Sequence, residues 1–319
     1  MKDLGSFLKR WQNLVGLGIV CFFVVAAAAA PLIAPMYPEW RPGSLFLIPD
    51  LKAGLPIPPS DVARLGTIAI GVQGRQIDVY TTLVWGTRSA LRFGVVATLF
   101  TTLIGLLIGA LSAFLGGWVN KILMRITDAF LAFPVIAGVI LFVQMINLLW
   151  YMSYTPAGDG IGDQTLLQII FESIDPVLLA MVLFSWMPTA RMTQGMVMIT
   201  KDKEFVQAAK ALGAGSWRVI FKHLIPNSIA PAIVLATSQV GGMVLLQAAL
   251  DFIGIDAGSE WGAVLAIGRR WMLGLQGNPL VYWWVFLPIT AALVVFGIGW
   301  NLVGDAVNDW LNPRIKGNN

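Results

Sequence analysis

Long apolar stretches with at most one charged residue each, separated by polar segments, make up most of this chain. Six of them reach the length of about 20 residues that a membrane-spanning helix needs. They lie at residues 13–38, 93–120, 126–150, 176–198, 228–255 and 280–303. The first follows a basic segment, as a signal peptide does, but its roughly 26 residues exceed a signal core of about 7–15 residues. We therefore expect a retained first span and an all-α polytopic membrane protein.

The polar segments divide the chain into four parts. These are an N-terminal cytoplasmic segment with the first span (1–38), an extracytoplasmic loop (39–92), a transmembrane core (93–304) with a polar cytoplasmic loop at 199–227, and a cytoplasmic tail (305–319). Repeated prolines indicate irregular structure in the first loop, and residues 78–92 fit an interfacial amphipathic helix. Pro134 is expected to kink the third span near its start.

The longest polar, helix-capable segment is the stretch 201–227. Its apolar residues recur at i, i+3, i+4 and i+7, which predicts one face of a short helix made of Phe205, Ala208, Ala209 and Leu212. Gly213 suits the left-handed position that ends a helix. Ser216 is the expected N-cap of a second helix, which Pro226 stops. A DNA-binding helix-turn-helix, a solvated connector and a loop that docks a partner protein are the three interpretations. A loop held between two spans has little access to a major groove, so nucleic acid is not an expected partner.

Composition agrees with a membrane protein. Hydrophobic residues make up 57% of the chain, charged residues 12%, and the mean hydropathy is +0.76, whereas soluble domains contain about 25% charged residues. The net charge of +4 fits basic residues retained on the cytoplasmic side. The acidic segment 151–175 contains no Lys or Arg, which places it outside and both termini in the cytoplasm.

Candidate chemistry is sparse in this sequence. One cysteine, Cys21, and one histidine, His223, exclude a disulfide framework, a thiolate metal site and the usual His-dependent catalysis. No metal site and no catalytic residue is therefore expected.

Two sets of residues within the spans are candidates for a role. Small residues recur every fourth position in the second span and predict a helix-packing face at Gly105, Gly109 and Ala113; the alternative is a lipid-facing helix with incidental glycines. On the fifth span, polar or flexible residues at i, i+4 and i+8 are Gln239, Met243 and Gln247. They are candidates for lining a translocation path, and contacts with neighbouring helices explain them equally well.

The central loop also carries a family resemblance. Gln207-Ala208-Ala209, Gly213 and Ile225-Pro226 resemble the EAA loop of ABC importer permeases, and EFVQAAKALGAGSWRVIFKHLIPN is similar to the form found in the peptide/nickel permease family. The resemblance covers residues 80–145 and 176–315, where FLPITAALVVFGIGWNLVGDAVNDWLNPR is similar to the second, shorter permease of such systems. Three features depart from the family pattern: Gln207 replaces the usual glutamate, residues 65–78 match an aspartate signature only loosely, and 151–175 is an insertion.

The resemblance implies a type I ABC importer permease fold in a prokaryotic inner membrane, with six transmembrane helices and a cytoplasmic coupling helix. A second permease would complete a heterodimer in the lipid, two cytoplasmic P-loop ATPases would bind ATP and Mg²⁺, and an extracytoplasmic substrate-binding protein would deliver the substrate. The residues implied in coupling are Glu204, Gln207, Ala208, Ala209, Lys210, Gly213, Arg218 and Pro226.

The substrate implied by the resemblance is a di- or oligopeptide, with nickel chelates or oligosaccharides as alternatives. The sequence has no G-x-x-x-x-G-K-[ST] motif, so the chain itself is expected to bind no nucleotide cofactor and to be no enzyme. A membrane scaffold whose basic loop binds an unrelated cytoplasmic protein is the rival hypothesis. A secondary transporter is disfavoured because the spans contain almost no ionisable residues.

Overall fold

The computed structural model describes residues 10–36, 45–70, 74–154, 175–272, 278 and 280–311. Three strands lie between the first two helices: β1 (Leu47–Lys52), β2 (Thr67–Ile70) and β3 (Arg75–Asp78). The helices are α1 (Trp11–Ile33), α2 (Val79–Leu115), α3 (Gly117–Ala132), α4 (Val135–Tyr154), α5 (Pro176–Ser185), α6 (Met187–Thr200), α7 (Glu204–Ala211), α8 (Ser216–Arg218), α9 (Ile225–Ser228), α10 (Ala230–Phe252), α11 (Glu260–Met272) and α12 (Trp283–Leu311). A π-helical turn, Val219–Leu224, joins α8 to α9.

The chain forms two compact units. One contains Met1–Val95 and Ser238–Ala306, and the other contains Val96–Thr237 and Val307–Asn319. Of the acidic segment predicted as an outer loop, residues 155–174 lie outside the described residues, as do the chain ends 1–9 and 312–319.

Four helices in the described part of the chain are long and apolar enough to cross a membrane, namely α1, α2, α10 and α12. Helices α3 and α4 pass this test only together, and they are bent by 92° at the break that contains Pro134. The kink predicted there is therefore confirmed and is larger than a kink within one helix. The predicted fourth span is also divided, into α5 and α6, at Trp186 just before Pro188. The third and fourth spans are not single straight helices, since a proline cannot continue the backbone hydrogen-bond ladder.

Helix α2 corrects the predicted organisation around residue 92. It runs for 37 residues without a break, so the predicted interfacial helix at 78–92 is the first part of this spanning helix. The Asp78 carboxylate starts it by accepting hydrogen bonds from the Tyr80 N–H at 3.0 Å and the Thr81 hydroxyl at 2.5 Å. Two glycines in the left-handed region, Gly116 and Gly117, end it with φ of 63° and 49°. Residues 121–125, which separate the second and third predicted spans, lie inside α3.

A small antiparallel sheet occupies the loop that was expected to be irregular. Its strand order is β1-β3-β2, and the buried residues Ile68 and Ile77 face each other across β2 and β3. The Ala69 carbonyl accepts hydrogen bonds from the Trp271 indole at 3.3 Å and from the Arg270 guanidinium, so α11 covers the outer edge of β2. This loop therefore contains a small sheet within a fold that is otherwise helical, as the sequence predicted. None of the three strands alternates regularly between buried and exposed residues, so the alternating pattern that predicts a strand is absent.

The core of the first unit is built around Trp261 of α11. Its indole is fully buried, donates a hydrogen bond to the Leu83 carbonyl at 3.1 Å, and meets the rings of Phe23 and Phe296 edge to face at 6.3 and 6.1 Å. Gly86 permits this contact, since a Cβ there would overlap the indole. Residues of α1, α2, α11 and α12 thus share one apolar core.

The stability of the first unit is expected to depend on pH through Glu260, the first residue of α11. Burial raises the pKa of its carboxyl above the ordinary value of 4.5, against the opposing effect of the hydrogen bond from the Ser89 hydroxyl. Because the folded state holds this proton more tightly than the unfolded state, stability falls as pH rises from 4.5 through the raised pKa. We expect Glu260→Gln to flatten this fall and to raise the unfolding temperature at neutral pH, measured in detergent between about pH 4 and about pH 8.

The matched control for this prediction is Glu204→Gln, at an exposed position of α7. It removes the same charge without removing a buried carboxylate. A Glu260→Gln variant with the same pH profile as the unsubstituted chain would contradict the prediction.

Candidate coupling surface

Residues 201–228 form a compact element, here called the coupling element, in the second unit. Helix α7 begins at Glu204 and carries Lys210 in its last turn, charges that suit the two ends of a helix dipole. Gly213 follows with φ of +80°, as predicted for the residue that ends the helix. The Gly213 and Ala214 N–H groups bond back to the carbonyls of Lys210 and Ala209 at 2.9 and 3.0 Å, which satisfies carbonyls at the helix end.

The second half of the element differs from the predicted helix. Its N-cap is Gly215, and Ser216 is already helical. Pro226 does not stop the helix, because it lies in the first turn of α9, directly after the π-helical turn. The π-helical turn before it is followed by a side-chain bond from the Asn227 amide to the His223 carbonyl at 2.6 Å. The helical path therefore continues from Ser216 to Ser228.

The inner side of the coupling element packs against two other helices of the same unit. Val206 is the buried residue of α7, and the π turn adds Val219, Ile220 and Leu224. They form one cluster with Ala110 and Ala113 of α2 and Val197 of α6. The sequence pattern missed Val206, because it lies outside the i, i+3, i+4, i+7 series.

Polar contacts fix the element at the same place. The Lys201 ammonium donates a hydrogen bond to the Ala113 carbonyl at 3.2 Å, near the end of α2. The Lys210 ammonium lies 5.5 Å from the centre of the Phe114 ring, within the range of a cation–π contact. α7 is thereby tied to the C-terminal end of α2 by both charge and packing.

The outer side of the element is apolar and exposed. Four side chains, here called the outer apolar face, have exposed fractions of 40, 89, 67 and 50%: Phe205, Leu212, Trp217 and Phe221. The Trp217 and Phe221 rings stack with centroids 5.7 Å apart. Ala208 is exposed beside them and Ala209 is half-buried. The face predicted from the sequence thus points away from the protein, and such a patch is typical of an interaction site.

The remaining residues implied in coupling lie on the surface of the same element. The exposed ones are Glu204, Gln207, Lys210, Gly213, Arg218 and Pro226. The Gln207 amide donates a hydrogen bond to the Lys201 carbonyl at 3.3 Å, so this side chain closes the turn before α7. Their contact with an ATPase stays a prediction.

The small residues of α2 lie against α6. A Cβ added at Gly105 would overlap Thr189, and one added at Gly109 would overlap Thr193 and the Ala190 carbonyl. Ala113 is buried in the cluster beneath the coupling element. Close approach of the two helices at these positions needs residues without a larger side chain.

The three residues predicted to line a path lie on α10. Met243 and Gln247 are each only 4% exposed, and the Gln247 amide donates to the Ala257 carbonyl at 2.8 Å. Gln239 is half-buried. Their role in translocation stays a prediction, and in this conformation two of the three are enclosed by the first unit.

Gly213 gives a test of the local geometry. We expect Gly213→Ser to destabilise the coupling element by about 1–2 kcal/mol, because a side chain at φ +80° is strained. Gly215→Ser is the matched control, since Gly215 has φ of −64°, open space around it, and an N-cap position that favours serine. Limited proteolysis of the 201–228 segment measures the difference. Equal protection of the two variants would contradict the strain.

Comparison with known proteins agrees with this arrangement. A family model for the inner membrane component of binding-protein-dependent transport systems matches residues 102–317, which contain the whole coupling element. The chain belongs to this family. The family resemblance stated from the sequence is thereby confirmed, and with it a helical, multi-spanning membrane permease fold.

Individual relatives support the same placement. The chain is 30% identical over 312 residues to a dipeptide transport system permease protein of Alkalihalophilus pseudofirmus, covering 97% of this chain and 88% of the relative. It is 31% identical to a probable D,D-dipeptide transport system permease protein of Escherichia coli, over 84% of this chain and 78% of the relative. A glutathione transport system permease protein of Pectobacterium atrosepticum is 28% identical, over 77 and 73% of the two chains.

Proposed function

We propose that this chain is the transmembrane permease subunit of an ATP-driven ABC importer and that it receives ATP-driven motion through residues 204–226. The observation that carries the proposal is the two-sided coupling element. Its inner side is packed against α2 and α6, while its outer apolar face is exposed. An element of this kind fits the groove of a partner protein, in the helix-in-groove mode of recognition.

The contacts of the element suggest how motion would pass into the permease. Val206 and the Lys201 hydrogen bond hold α7 against the end of α2, so a displacement of α7 would be shared by that helix. Closure of an ATPase pair would then move α7 and its neighbours as a rigid body. ATP and Mg²⁺ would be bound by two separate cytoplasmic ATPases, and this chain would perform no hydrolysis.

The proposed complex contains further subunits. A second permease completes a heterodimer around the path, an extracytoplasmic binding protein delivers the substrate, and both termini of this chain lie in the cytoplasm of a prokaryotic cell. Di- or oligopeptides are the proposed substrates, supported by relatives named for dipeptides, D,D-dipeptides and glutathione. Nickel chelates and oligosaccharides are the alternatives within the same class.

Purification of the tagged chain from native membranes, with mass spectrometry of the proteins that accompany it, tests the proposal. We expect a second permease and P-loop ATPases, and uptake of di- or oligopeptides when the complex is reconstituted with its binding protein. Recovery of the chain alone would contradict the proposal if it persisted after cross-linking through Ala209→Cys in a Cys21→Ser background. A single unrelated cytoplasmic partner would favour the membrane-scaffold hypothesis instead.

A further inference from the structure

An ion pair that the transport assignment does not use joins α3 to α6. The Arg191 Nε donates to Oδ1 of Asp128 at 2.8 Å, and Nη2 of the same guanidinium donates to the same oxygen. The two side chains are 41 and 46% exposed. Within the described residues, Nη1 of Arg191 and Oδ2 of Asp128 have no hydrogen-bond partner. Hydrogen-bonding capacity therefore remains on both members of the pair.

The Asp128–Arg191 ion pair lies beside the uncharged part of the spanning helix α2. Arg191 follows Ala190, whose carbonyl lies against Gly109 of α2. Gly109 precedes the end of α2 at Leu115 by about six residues, or roughly 9 Å along the axis. Residues 93–115 of α2 carry no charge. Charged side chains at such a depth almost always face water or protein rather than lipid, because exposure to hydrocarbon is costly.

The exposed side of α6 mixes charged, small and apolar residues, and the apolar ones include Ile199 at 66% exposed. Arg191, Gly195 and Met198 recur at i, i+4 and i+7, and Met192 lies beside them. The two methionines are 37 and 40% exposed, and nothing lies within 4 Å of the position that a Cβ on Gly195 would take. By contrast, the exposed residues of α2 in the same unit are large and apolar: Leu99, Phe100, Leu103 and Leu107. Methionine side chains adapt to ligands of varied shape.

We propose that this side of α6, together with Asp128, lines the aqueous route through the permease and binds the charged ends of a passing peptide. Nη1 of Arg191 donates to the peptide α-carboxylate when that end passes, and Oδ2 of Asp128 accepts from the α-ammonium group when the other end passes. Met192 and Met198 contact the peptide side chains. This inference rests on the proposed function, and it names the part of the substrate that the permease itself recognises.

Recognition of the peptide ends suits a permease that transports peptides of many different sequences. Every unmodified peptide has an α-ammonium and an α-carboxylate group, so binding through the ends places no demand on the side chains. When the route is empty, Asp128 and Arg191 neutralise each other. A peptide end then binds to charges that are already neutralised by each other. The peptide is therefore held weakly enough to be released.

Accessibility to water is the first test, because it needs no substrate. In the assembled complex in lipid nanodiscs and a Cys21→Ser background, we expect Gly195→Cys to react with a charged, membrane-impermeant maleimide about tenfold or more faster than Leu103→Cys. Leu103 is the matched control, since it is 45% exposed on a spanning helix of the same unit. Equal, slow reaction of both cysteines would overturn the proposal. So would cross-linking of the cysteine at position 195 to the second permease without maleimide reaction, which would identify a permanent interface.

Transport of end-blocked peptides is the second test. For a peptide with free ends, we expect Arg191→Gln to lower uptake per ATP hydrolysed by roughly tenfold, since a charge-assisted bond is lost. The loss should be much smaller for the same peptide with an amidated C-terminus. Asp128→Asn should show the corresponding pattern with an N-acetylated peptide. Arg125→Gln on α3 is the control, because it removes an exposed charge from the same helix as Asp128.

Loss of uptake to the same extent for free and blocked peptides would show that the pair is structural and would overturn the end-recognition proposal. Failure of the unsubstituted complex to transport any peptide would remove the proposed substrate and the end recognition with it. The reaction at position 195 would still decide whether this side of α6 lines an aqueous route. The two failures are therefore distinguishable.

Discussion

Replacement of Phe205 and Leu212 by aspartate is expected to abolish recovery of ATPase subunits with the permease and to lower ATP-driven uptake by about 30-fold or more. Both side chains belong to the outer apolar face, with 40 and 89% of their surface exposed. Loss of an apolar residue from the centre of an interface costs about 2 kcal/mol or more, which is roughly 30-fold in affinity. A carboxylate placed in an apolar groove adds a desolvation cost.

The same substitutions should leave the chain itself stable. Neither residue belongs to the buried cluster beneath the coupling element, and substitutions at exposed positions usually change stability by less than about 0.5 kcal/mol. Expression level and unfolding temperature in detergent measure this, beside co-purification and uptake. Lys222→Asp introduces the same side chain at an exposed, already charged position of the element and serves as the control. Normal ATPase recovery with the Phe205→Asp, Leu212→Asp variant would place the docking surface elsewhere.

The coupling element shows which features a sequence of this kind predicts. The spacing of Phe205, Ala208 and Leu212 predicted a helix face, and Gly213 predicted its end, because both depend on residues close in the chain. The pattern could not tell which side faced the protein. In a membrane permease an apolar helix face is not automatically the buried one, since a partner can cover it. Val206, a lone residue on the other side, is the one that packs on α2.

Long-range contacts explain the features that were not predicted. The bend of 92° between α3 and α4 lies at a proline from which a kink was predicted, but the sequence did not predict the size of the bend. The sheet before α2 consists of short strands, one of which is covered by Arg270 and Trp271 from a distant helix. The Asp128–Arg191 pair joins residues 63 positions apart, so the sequence alone did not show that the two charges meet.

Replacement of Val206 by aspartate is expected to destabilise the chain. Phe205→Asp, at the adjacent position, should leave the chain stable and remove ATPase recovery instead. Val206 is fully buried against Ala110, Ala113 and Val197. An unpaired carboxylate in this cluster should destabilise the second unit by on the order of 3–5 kcal/mol. The chain should accumulate less, unfold at a lower temperature and be cleaved rapidly within residues 201–228.

Acidic conditions provide the internal check on this prediction, since they neutralise the new carboxylate. The loss of stability in Val206→Asp should shrink as pH falls, because protonation removes the buried charge. Val206→Asn, which is polar but not titratable, should show no such recovery. If Val206→Asp instead retained full stability and lost only ATPase recovery, Val206 would belong to the docking surface. The packing of α7 on α2 would then not be the route by which motion enters the permease.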